Sequence, residues 1–197
     1  MGLKHQLRTL RWKTGYDVTR FQPTCPPIAK RNRFFEIYAI DTVLDVGANT
    51  GQFASELRND MGYGGNIFSF EPLSTAYKTL ETRARNDPRW QTIHHARGDK
   101  DETREINVAA NSESSSLLAM LPSHLKSAPQ SESIGKETIR IRTLDGVFPA
   151  LCPDARSIYL KKDTQGFEKN VPLGARESLA RIDTVQMELS LVPLHSH

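Results

Sequence analysis

Apolar runs alternate along this chain with segments in which apolar residues recur at helical spacing. The first run, 42–46, leads into a helical pattern over 52–60. The second run begins at 66 and ends in Glu71-Pro72, and a helical pattern over 73–86 follows it. Strands that alternate with helices at this spacing predict an α/β fold with a parallel, doubly wound sheet.

The same alternation continues to the end of the chain with one interruption. A polar, serine-rich segment interrupts it at 111–136, and connections of that length are usually functional or mobile. We expect this segment to cover a substrate. The remaining predicted elements are strands at 90–94, 105–109, 137–143, 157–163 and 183–189, and a helix within 167–180.

The first forty residues have a different character. Residues 2–13 predict an amphipathic helix, and proline-rich residues 15–27 predict an extended connector. A second helix is expected over 28–39. Its buried side is predicted to consist of the apolar residues Ile28, Phe34, Phe35, Ile37 and Tyr38.

Composition limits the class of protein. The chain has 197 residues, of which 38% are hydrophobic and 25% charged, as expected for one soluble domain with a full core. No apolar run approaches the roughly 20 residues of a membrane span, and the N-terminus lacks the apolar core of a signal peptide. The two cysteines, Cys25 and Cys152, suit a reduced, cytoplasmic protein.

Positive charge is concentrated at the N-terminus. Residues 1–40 contain eight Lys and Arg and two acidic residues, whereas the whole chain has a net charge of +3. Such an arm could contact anionic lipid headgroups or nucleic acid, or it could be a solvated helix face.

The turn after the first strand has a pattern typical of a ligand loop. It reads Asp45-x-Gly47-x-Asn49-x-Gly51, so an acid ends a buried strand and two glycines precede a helix. Glycine lets a ligand approach the backbone, and Asn tolerates left-handed geometry. The pattern is closer to the adenosyl-binding loop of S-adenosylmethionine (SAM) methyltransferases than to a Gly-x-Gly-x-x-Gly dinucleotide loop, although a generic strand-turn-helix remains open.

Acidic residues at strand ends form the candidate site, because the carboxyl ends of parallel strands line the ligand crevice. Glu71 ends the second strand, where a carboxylate can accept hydrogen bonds from both ribose hydroxyls of a nucleoside. Asp45 could brace the loop or meet the ammonium of a SAM methionine moiety. Asp99 could meet an adenine amino group or form a plain turn.

Two further acids are candidates for the reaction itself. Asp163 ends the fourth strand, beside the first, and could take a proton from a substrate hydroxyl or cap the next helix. Glu188 is a candidate base or a structural acid. The residues His94, His95 and His124 have no metal-ligand spacing, so we predict no metal site.

Several blocks in order resemble the FkbM family of SAM-dependent O-methyltransferases. They are Val43-Leu-Asp-Val-Gly-Ala-Asn-Thr-Gly-Gln-Phe53, Phe70-Glu-Pro72, Ser115-Ser-Leu117, Thr143-Leu-Asp145, Lys161-Lys-Asp-Thr-Gln-Gly-Phe-Glu168, Gly174-Ala175 and Gln186-Met-Glu-Leu-Ser-Leu-Val-Pro-Leu194.

The resemblance implies a Rossmann-like class I sheet, SAM as methyl donor and a sugar or polyketide hydroxyl as acceptor. Asp163 and Glu188 would then be catalytic. The cofactor would be held by Asp45, Gly47, Ala48, Asn49, Gly51, Glu71, Pro72 and Asp99. The basic helix is similar to that of relatives that methylate glycolipid sugars, which implies a cytoplasmic enzyme in peripheral contact with the inner membrane face.

Three departures from the family pattern bear on activity. Lys162 occupies a strand position that is usually apolar, and Pro172 stands where leucine is usual. The chain stops shortly after the last block, so the antiparallel hairpin that usually completes the sheet is expected to be missing. We therefore predict a basic helical extension over 1–40 and a truncated SAM-binding domain over 41–197. The alternative function is an inactive remnant that keeps the fold without catalysis.

Two other classes fit less well. A short-chain NAD oxidoreductase needs a Tyr-x-x-x-Lys pair, and no tyrosine here has a lysine four residues on. A methyltransferase acting on a flipped nucleic-acid base would need an Asn/Asp-Pro-Pro-aromatic loop after the fourth strand, whereas the chain has Asp163-Thr-Gln-Gly. We therefore expect no nucleic-acid partner.

Overall fold

A computed structural model describes residues 28–109, 133–164 and 169–187. The predictions for the helix 2–13, the connector 15–27, the serine-rich stretch and Glu188 lie outside these residues. The described helices are α1 (Ile28–Ile37), α2 (Gln52–Asn59), α3 (Ser74–Ala84), α4 (Leu144–Leu151) and α5 (Asn170–Leu173), with a 3₁₀ turn at Ser178–Arg181. The described strands are β1 (Thr42–Val46), β2 (Asn66–Phe70), β3 (Trp90–Ile93), β4 (Ala96–Arg97), β5 (Glu102–Ala109), β6 (Ser133–Arg142), β7 (Ile158–Lys162) and β8 (Thr184–Met187).

Five strands form a parallel sheet in the order β3-β2-β1-β7-β8. β1 is at its centre and is buried along its whole length. A strand covered on both faces needs apolar side chains on both, which explains why Val43, Leu44 and Val46 are all apolar although they point to different faces. The predicted α/β doubly wound sheet is therefore confirmed.

Helices cover both faces of this sheet, and each face has its own apolar cluster. On one face, Val43, Ile67 and Tyr159 pack against α1, α2 and α3. On the other face, Leu44 and Leu160 pack against α4 and α5. Side chains alternate between faces along a strand, so Asp45 lies on the first face and Val46 on the second.

A smaller, three-stranded sheet has the order β4-β6-β5. Ile139 and Ile141 of β6 pack against Leu73 and Ala76, so one face of this sheet is covered by α3. Glu137 of β6 also accepts hydrogen bonds from the backbone N–H and the hydroxyl of Ser74, at 2.9 and 2.5 Å. The small sheet is thereby joined to the N-terminus of α3.

The predicted buried side of α1 is largely wrong. Phe35 is buried, whereas Phe34, Ile37 and Tyr38 are 49%, 63% and 45% exposed. Phe34 and Tyr38 are four residues apart and stack on each other, with ring centroids 6.1 Å apart. The spacing of these two residues therefore resembles that of a buried apolar stripe, although it reflects stacking on the exposed side of the helix.

The single helix expected within 167–180 is also wrong. α5 lasts only four residues and is followed by Gly174, where a Cβ would overlap the carbonyl oxygen of Gly98. The chain then restarts as a 3₁₀ turn, because the carboxylate of Asp145 accepts hydrogen bonds from the backbone N–H of Glu177 and Ser178. Pro172 is the third residue of α5, where a missing N–H interrupts no helical bond.

Candidate functional site

The loop between β1 and α2 has left-handed backbone at alternate residues. Gly47, Asn49 and Gly51 have φ of 79°, 49° and 86°. The N–H groups of Gly47 and Ala48 donate to the carbonyl of Phe70 at 3.1 and 3.0 Å, which fastens the loop to the end of β2. The loop therefore has the left-handed backbone that its glycine and asparagine residues indicated in the sequence.

Gly47 also brings the loop against the end of β7. A Cβ at this position would overlap the carbonyl oxygen of Asp163. The Asp163 N–H donates to Val46 at 2.9 Å, so the backbones of the two strand ends are in direct contact. Asp163 and the loop that was predicted to hold a cofactor therefore meet in one place.

Gly51 precedes α2 and makes room for the core beneath the loop. A Cβ here would lie 2.8 Å from Leu80 Cδ1 and 3.0 Å from Trp90 Cζ2. Glycine is therefore required at this position for two reasons. The backbone has a positive φ, and the Trp90 indole packs against the start of the helix. The free N–H groups at this helix start are a general feature that suits a polar ligand.

Glu71 is buried and connects the loop to the segment after β2. Its Oε2 accepts from the Asn49 N–H at 2.8 Å, and its Oε1 accepts from the Leu73 N–H at 2.9 Å. Burial raises the pKa of Glu71 to about 7, although these backbone bonds act in the opposite direction. A carboxylate has about four acceptor positions, so capacity remains for further donors.

Asp45 is fully buried and takes part in a polar group on the first face of the sheet. Ser69 Oγ lies 3.4 Å from its Oδ2, and Lys161 Nζ lies 3.4 Å from its Oδ1. Lys161 Nζ also lies 3.3 Å from Asp163 Oδ2. One ammonium therefore joins the two acids that were predicted to belong to the site.

The charge state of this group follows from its contacts. Burial alone lowers the pKa of Lys161, but the carboxylates of Asp45 and Asp163 outweigh it, and the pKa is raised. Burial raises the pKa of Asp45, and Lys161 acts against that shift. With two carboxyl groups beside one ammonium, the pKa of Lys161 lies above its usual value, so Lys161 is protonated at neutral pH.

The sequence pattern did not identify Lys161 as a site residue, and only its neighbour Lys162 was singled out. The signal was available in the parallel register, because Lys161 pairs with Asp45 and directly opposed residues point to the same face. Lys162 lies on the opposite face, where it is buried and not without a partner. The departure from an apolar residue at this position therefore does not leave an unpaired buried charge.

The polar group extends under the loop through Ser69. The Trp90 Nε1–H donates to Ser69 Oγ at 3.0 Å, and Ser69 in turn donates to Asp45. Buried polar atoms are costly unless bonded, so this chain fixes the orientation of Asp45.

The other predicted site residues are differently placed. Ala48 is buried in the loop, and Pro72 lies between Glu71 and the start of α3. Asp99 is exposed and accepts from Asn170 Nδ2 at 2.8 Å, which lowers its pKa. No contact within the described part of the chain joins Asp99 to the loop, so its adenine role stays a prediction. Glu188 is not among the described residues.

Other features concern metals and membranes. The described ranges contain no group of three or more His, Cys, Asp or Glu side chains that could hold a metal ion. Among the described helices, none combines the length and the apolar character needed to cross a membrane.

Comparison with known proteins identifies one matching family model. The model for the methyltransferase FkbM domain matches residues 45–196, most of the chain. No curated protein matches the sequence.

Two solved structures are distantly similar. A methyltransferase FkbM from Methylobacillus flagellatus KT is 16% identical, with a TM-score of 0.45 over 72% of this chain and 30% of that one. The N-terminal domain of EvdMO1, solved with SAH bound, is 12% identical, with a TM-score of 0.29 over 77% of this chain and 86% of that one. At these TM-scores neither likeness says anything about individual residues.

Proposed function

This chain belongs to the methyltransferase FkbM family, and from that premise we propose that it transfers a methyl group from SAM to a hydroxyl oxygen. The acceptor class is a sugar, as in a glycolipid, or a polyketide-type alcohol. The observation that supports this most directly is the contact between the Gly47 loop and Asp163, because it joins a cofactor loop to a candidate base.

The residues of the loop fit SAM. The positive φ of Gly47 and Gly51 shapes the loop, and Glu71 is held by two backbone N–H groups with acceptor capacity left for ribose hydroxyls. Asp45 is fully buried and engaged by Lys161 and Ser69. This favours the bracing role of Asp45 over direct contact with the methionine ammonium.

Asp163 is the residue that we assign to the acceptor. Its side chain is 37% exposed and keeps one carboxylate oxygen beyond the one that faces Lys161. When bound, SAM would supply an electrophilic methyl group, with a neutral thioether as the leaving group. Asp163 would accept the proton of the acceptor hydroxyl, and Lys161 would hold the carboxylate in place. Glu188 remains a second candidate base.

Two measurements test this function. Isothermal titration of the folded chain with SAM should give binding, and labelled SAM with lipid extracts should give methylated product. Asp163→Asn should keep SAM binding and lose about a hundredfold or more in turnover, as is typical of a lost general base. Asp154→Asn is the control, because Asp154 is exposed at the opposite end of β7.

The outcomes separate the alternatives. Folded protein that binds no SAM would exclude the proposed activity and favour the inactive remnant. Turnover that survives Asp163→Asn would remove Asp163 from the mechanism. Binding without turnover on any hydroxyl acceptor would contradict the acceptor class.

We also propose that the chain acts in the cytoplasm at the inner membrane face. In support, α1 exposes Phe34 and Ile37 beside the exposed cations Lys30 and Arg33. Basic side chains next to exposed apolar ones are typical of an interfacial helix. Co-sedimentation with anionic vesicles should fall in Ile37→Glu and at high salt, and equal binding to neutral vesicles would contradict the proposal.

A further inference from the structure

A buried arginine with unsatisfied donors lies beside the candidate site. Arg97, in β4, is 1% exposed, and its guanidinium lies over the Phe70 ring at 4.3 Å from the centroid. Its Nη1 donates to the Thr143 carbonyl at 3.3 Å, whereas Nε and Nη2 have no acceptor among the described residues. Because burial of a cation is costly without counter-charge, these two atoms mark a place for an anion.

Two more arginines share its face of the small sheet. Arg142 pairs directly with Arg97 in the parallel register of β4 and β6. Arg140 precedes Arg142 by two residues, so the alternation of side chains directs it to the same face. The intervening Ile139 and Ile141 point to α3. We call Arg97, Arg140 and Arg142 the arginine face.

The arginine face affects the pKa of His95. Its Nδ1 is buried and has no partner within the part of the chain that the structure describes. Burial lowers the pKa of His95, and the positive charges of Arg97, Arg142 and Arg140 lower it further. His95 is therefore neutral near pH 7 and can offer a ring nitrogen without adding charge.

The counter-charge that faces these residues is small. Asp101 Oδ2 lies 3.7 Å from Arg142 Nε, and the two side chains are 57% and 38% exposed. Its Oδ1 accepts from the Thr143 N–H at 2.9 Å. Glu105 pairs with Thr138 and so lies on the same face, but its carboxylate is engaged by Lys136 at 2.7 Å. A long, exposed ion pair is worth little, so among the described residues the three guanidinium groups retain excess positive charge.

Arg97, the buried member of the arginine face, lies next to the residue that anchors the predicted cofactor loop. Phe70, which stacks with Arg97, is the residue before Glu71, and its carbonyl accepts from the Gly47 and Ala48 N–H groups. An anion held here would therefore lie close to the carboxyl end of β2. Several planar guanidinium forks suit a tetrahedral oxyanion better than a single lysine would.

We propose that the arginine face binds a phosphate group carried by the methyl acceptor. This inference rests on the proposed function, since it assigns the acceptor's charge. A phosphorylated sugar in solution and the phosphate of a lipid-linked sugar share this chemistry. The enzyme would thus select acceptors in which a phosphate and a free hydroxyl occur in one molecule.

The first experiment measures anion binding without SAM or turnover. Phosphorus NMR or titration calorimetry with inorganic phosphate, in chloride of matched ionic strength, should detect saturable binding by the full chain. The double variant Arg140→Gln/Arg142→Gln should weaken it tenfold or more. Arg104→Gln is the matched control, because Arg104 is in the same small sheet but pairs with Ile139, on the opposite face.

Each outcome of the binding experiment either supports or overturns the proposal. Failure of the full chain to bind phosphate more tightly than chloride would overturn the proposal, as would equal weakening in Arg104→Gln. Titration of the same variants with SAM keeps the two proposals apart: unchanged SAM binding with lost phosphate binding supports the arginine face. Absent SAM binding in the unmodified chain contradicts the proposed function and the assignment of the phosphate to a methyl acceptor, whereas phosphate binding tests the arginine face by itself.

A second experiment distinguishes the two sources of phosphate. A soluble hexose phosphate and vesicles containing phosphatidylinositol phosphate are each used to displace bound inorganic phosphate. Displacement by the hexose phosphate alone indicates a soluble acceptor, and displacement by the vesicles indicates a lipid-linked one. Failure of both to displace phosphate would overturn the assignment of the site to an acceptor.

Discussion

At the scale of single residues, Gly47 determines where Asp163 lies. Replacement by Ala adds a left-handed strain of about 1–2 kcal/mol and a Cβ that overlaps the Asp163 carbonyl. We expect Gly47→Ala to lower the free energy of unfolding by roughly 3 kcal/mol or more and to weaken SAM binding strongly. Urea denaturation and calorimetric titration measure the two effects.

Gly62 supplies the control for backbone strain. It has φ of 66°, close to the 79° of Gly47, but a Cβ there would have no atom within 4 Å. Gly62→Ala should therefore show only the left-handed penalty and keep SAM affinity. Equal losses of stability and of SAM affinity in Gly47→Ala and Gly62→Ala would show that the close approach of Gly47 to the Asp163 carbonyl contributes to neither.

Glu71 predicts a pH dependence. Its pKa is raised to about 7 by burial, and only the ionised form can accept two ribose hydroxyls. SAM affinity should therefore rise about tenfold from pH 6 to pH 8, with a midpoint near 7. Titrations across this range should show the rise in the unmodified chain and in Glu81→Gln, an exposed control, but a weak and flat affinity in Glu71→Gln.

The stability of the ligand-free protein should change in the opposite direction. Folded Glu71 holds its proton more tightly than the unfolded chain, whose value is near 4.5. Stability is therefore highest below about pH 4.5 for this group and declines as pH rises to about 7. A decline of the same size in Glu71→Gln would show that another group is responsible.

The sequence predicted part of the site at this scale. Asp45, Gly47, Asn49 and Glu71 were proposed as site residues because strand ends and glycine spacing are visible along the chain. Lys161 and Arg97 were not, because their partners are remote in sequence and are brought near only by strand register.

At the scale of elements, the N-terminus of α3 is capped by a residue of the three-stranded sheet. Its N-terminus has no cap from its own side chains, and Glu137 accepts from Ser74 instead. Because a carboxylate at a helix start also interacts with the helix dipole, Glu137→Gln should lower the free energy of unfolding by about 1 kcal/mol. Amide exchange should also speed up in the first turn of α3.

The matched control is Glu105→Gln in the neighbouring strand. Glu105 forms an ion pair with Lys136 in which the side chains are 56% and 64% exposed, so its loss should have little effect. A Glu105→Gln effect as large as that of Glu137→Gln would refute the capping role.

Elements with a strong period were predicted well, and the failures have specific causes. β1 and β2 appeared as apolar runs because they are buried on both faces along nearly their whole length. α4 was not predicted, since its eight residues include Pro149 inside the helix. α5 was predicted too long because the contact of Gly174 with Gly98 is tertiary.

At the scale of the whole molecule, ligand binding and folding are linked. SAM at a hundred times its dissociation constant should raise the free energy of unfolding by about 2.7 kcal/mol. For a domain of this size that corresponds to a rise in Tm of about 5–10 °C. Thermal denaturation with and without SAM tests this, and a shift as large in Gly47→Ala would argue against binding at the loop.

One edge of the parallel sheet carries exposed apolar side chains. β8 is its outermost described strand, and Val185 and Met187 are 42% and 45% exposed. The prediction that the last two strands of the family sheet are missing is not tested by these residues. Exposed edge strands promote association, so the concentration dependence of light scattering is worth measuring alongside every titration.

The hydrogen bond from Trp90 to Ser69 has a practical consequence for optical work. The indole of Trp90 is buried beneath Gly51 and is separated from Asp45 by one hydroxyl group. Indole emission changes with local polarity, and the chain has only one other tryptophan, Trp12. With Trp12→Phe, the emission spectrum becomes an intrinsic reporter of events at the glycine loop, read without any attached dye.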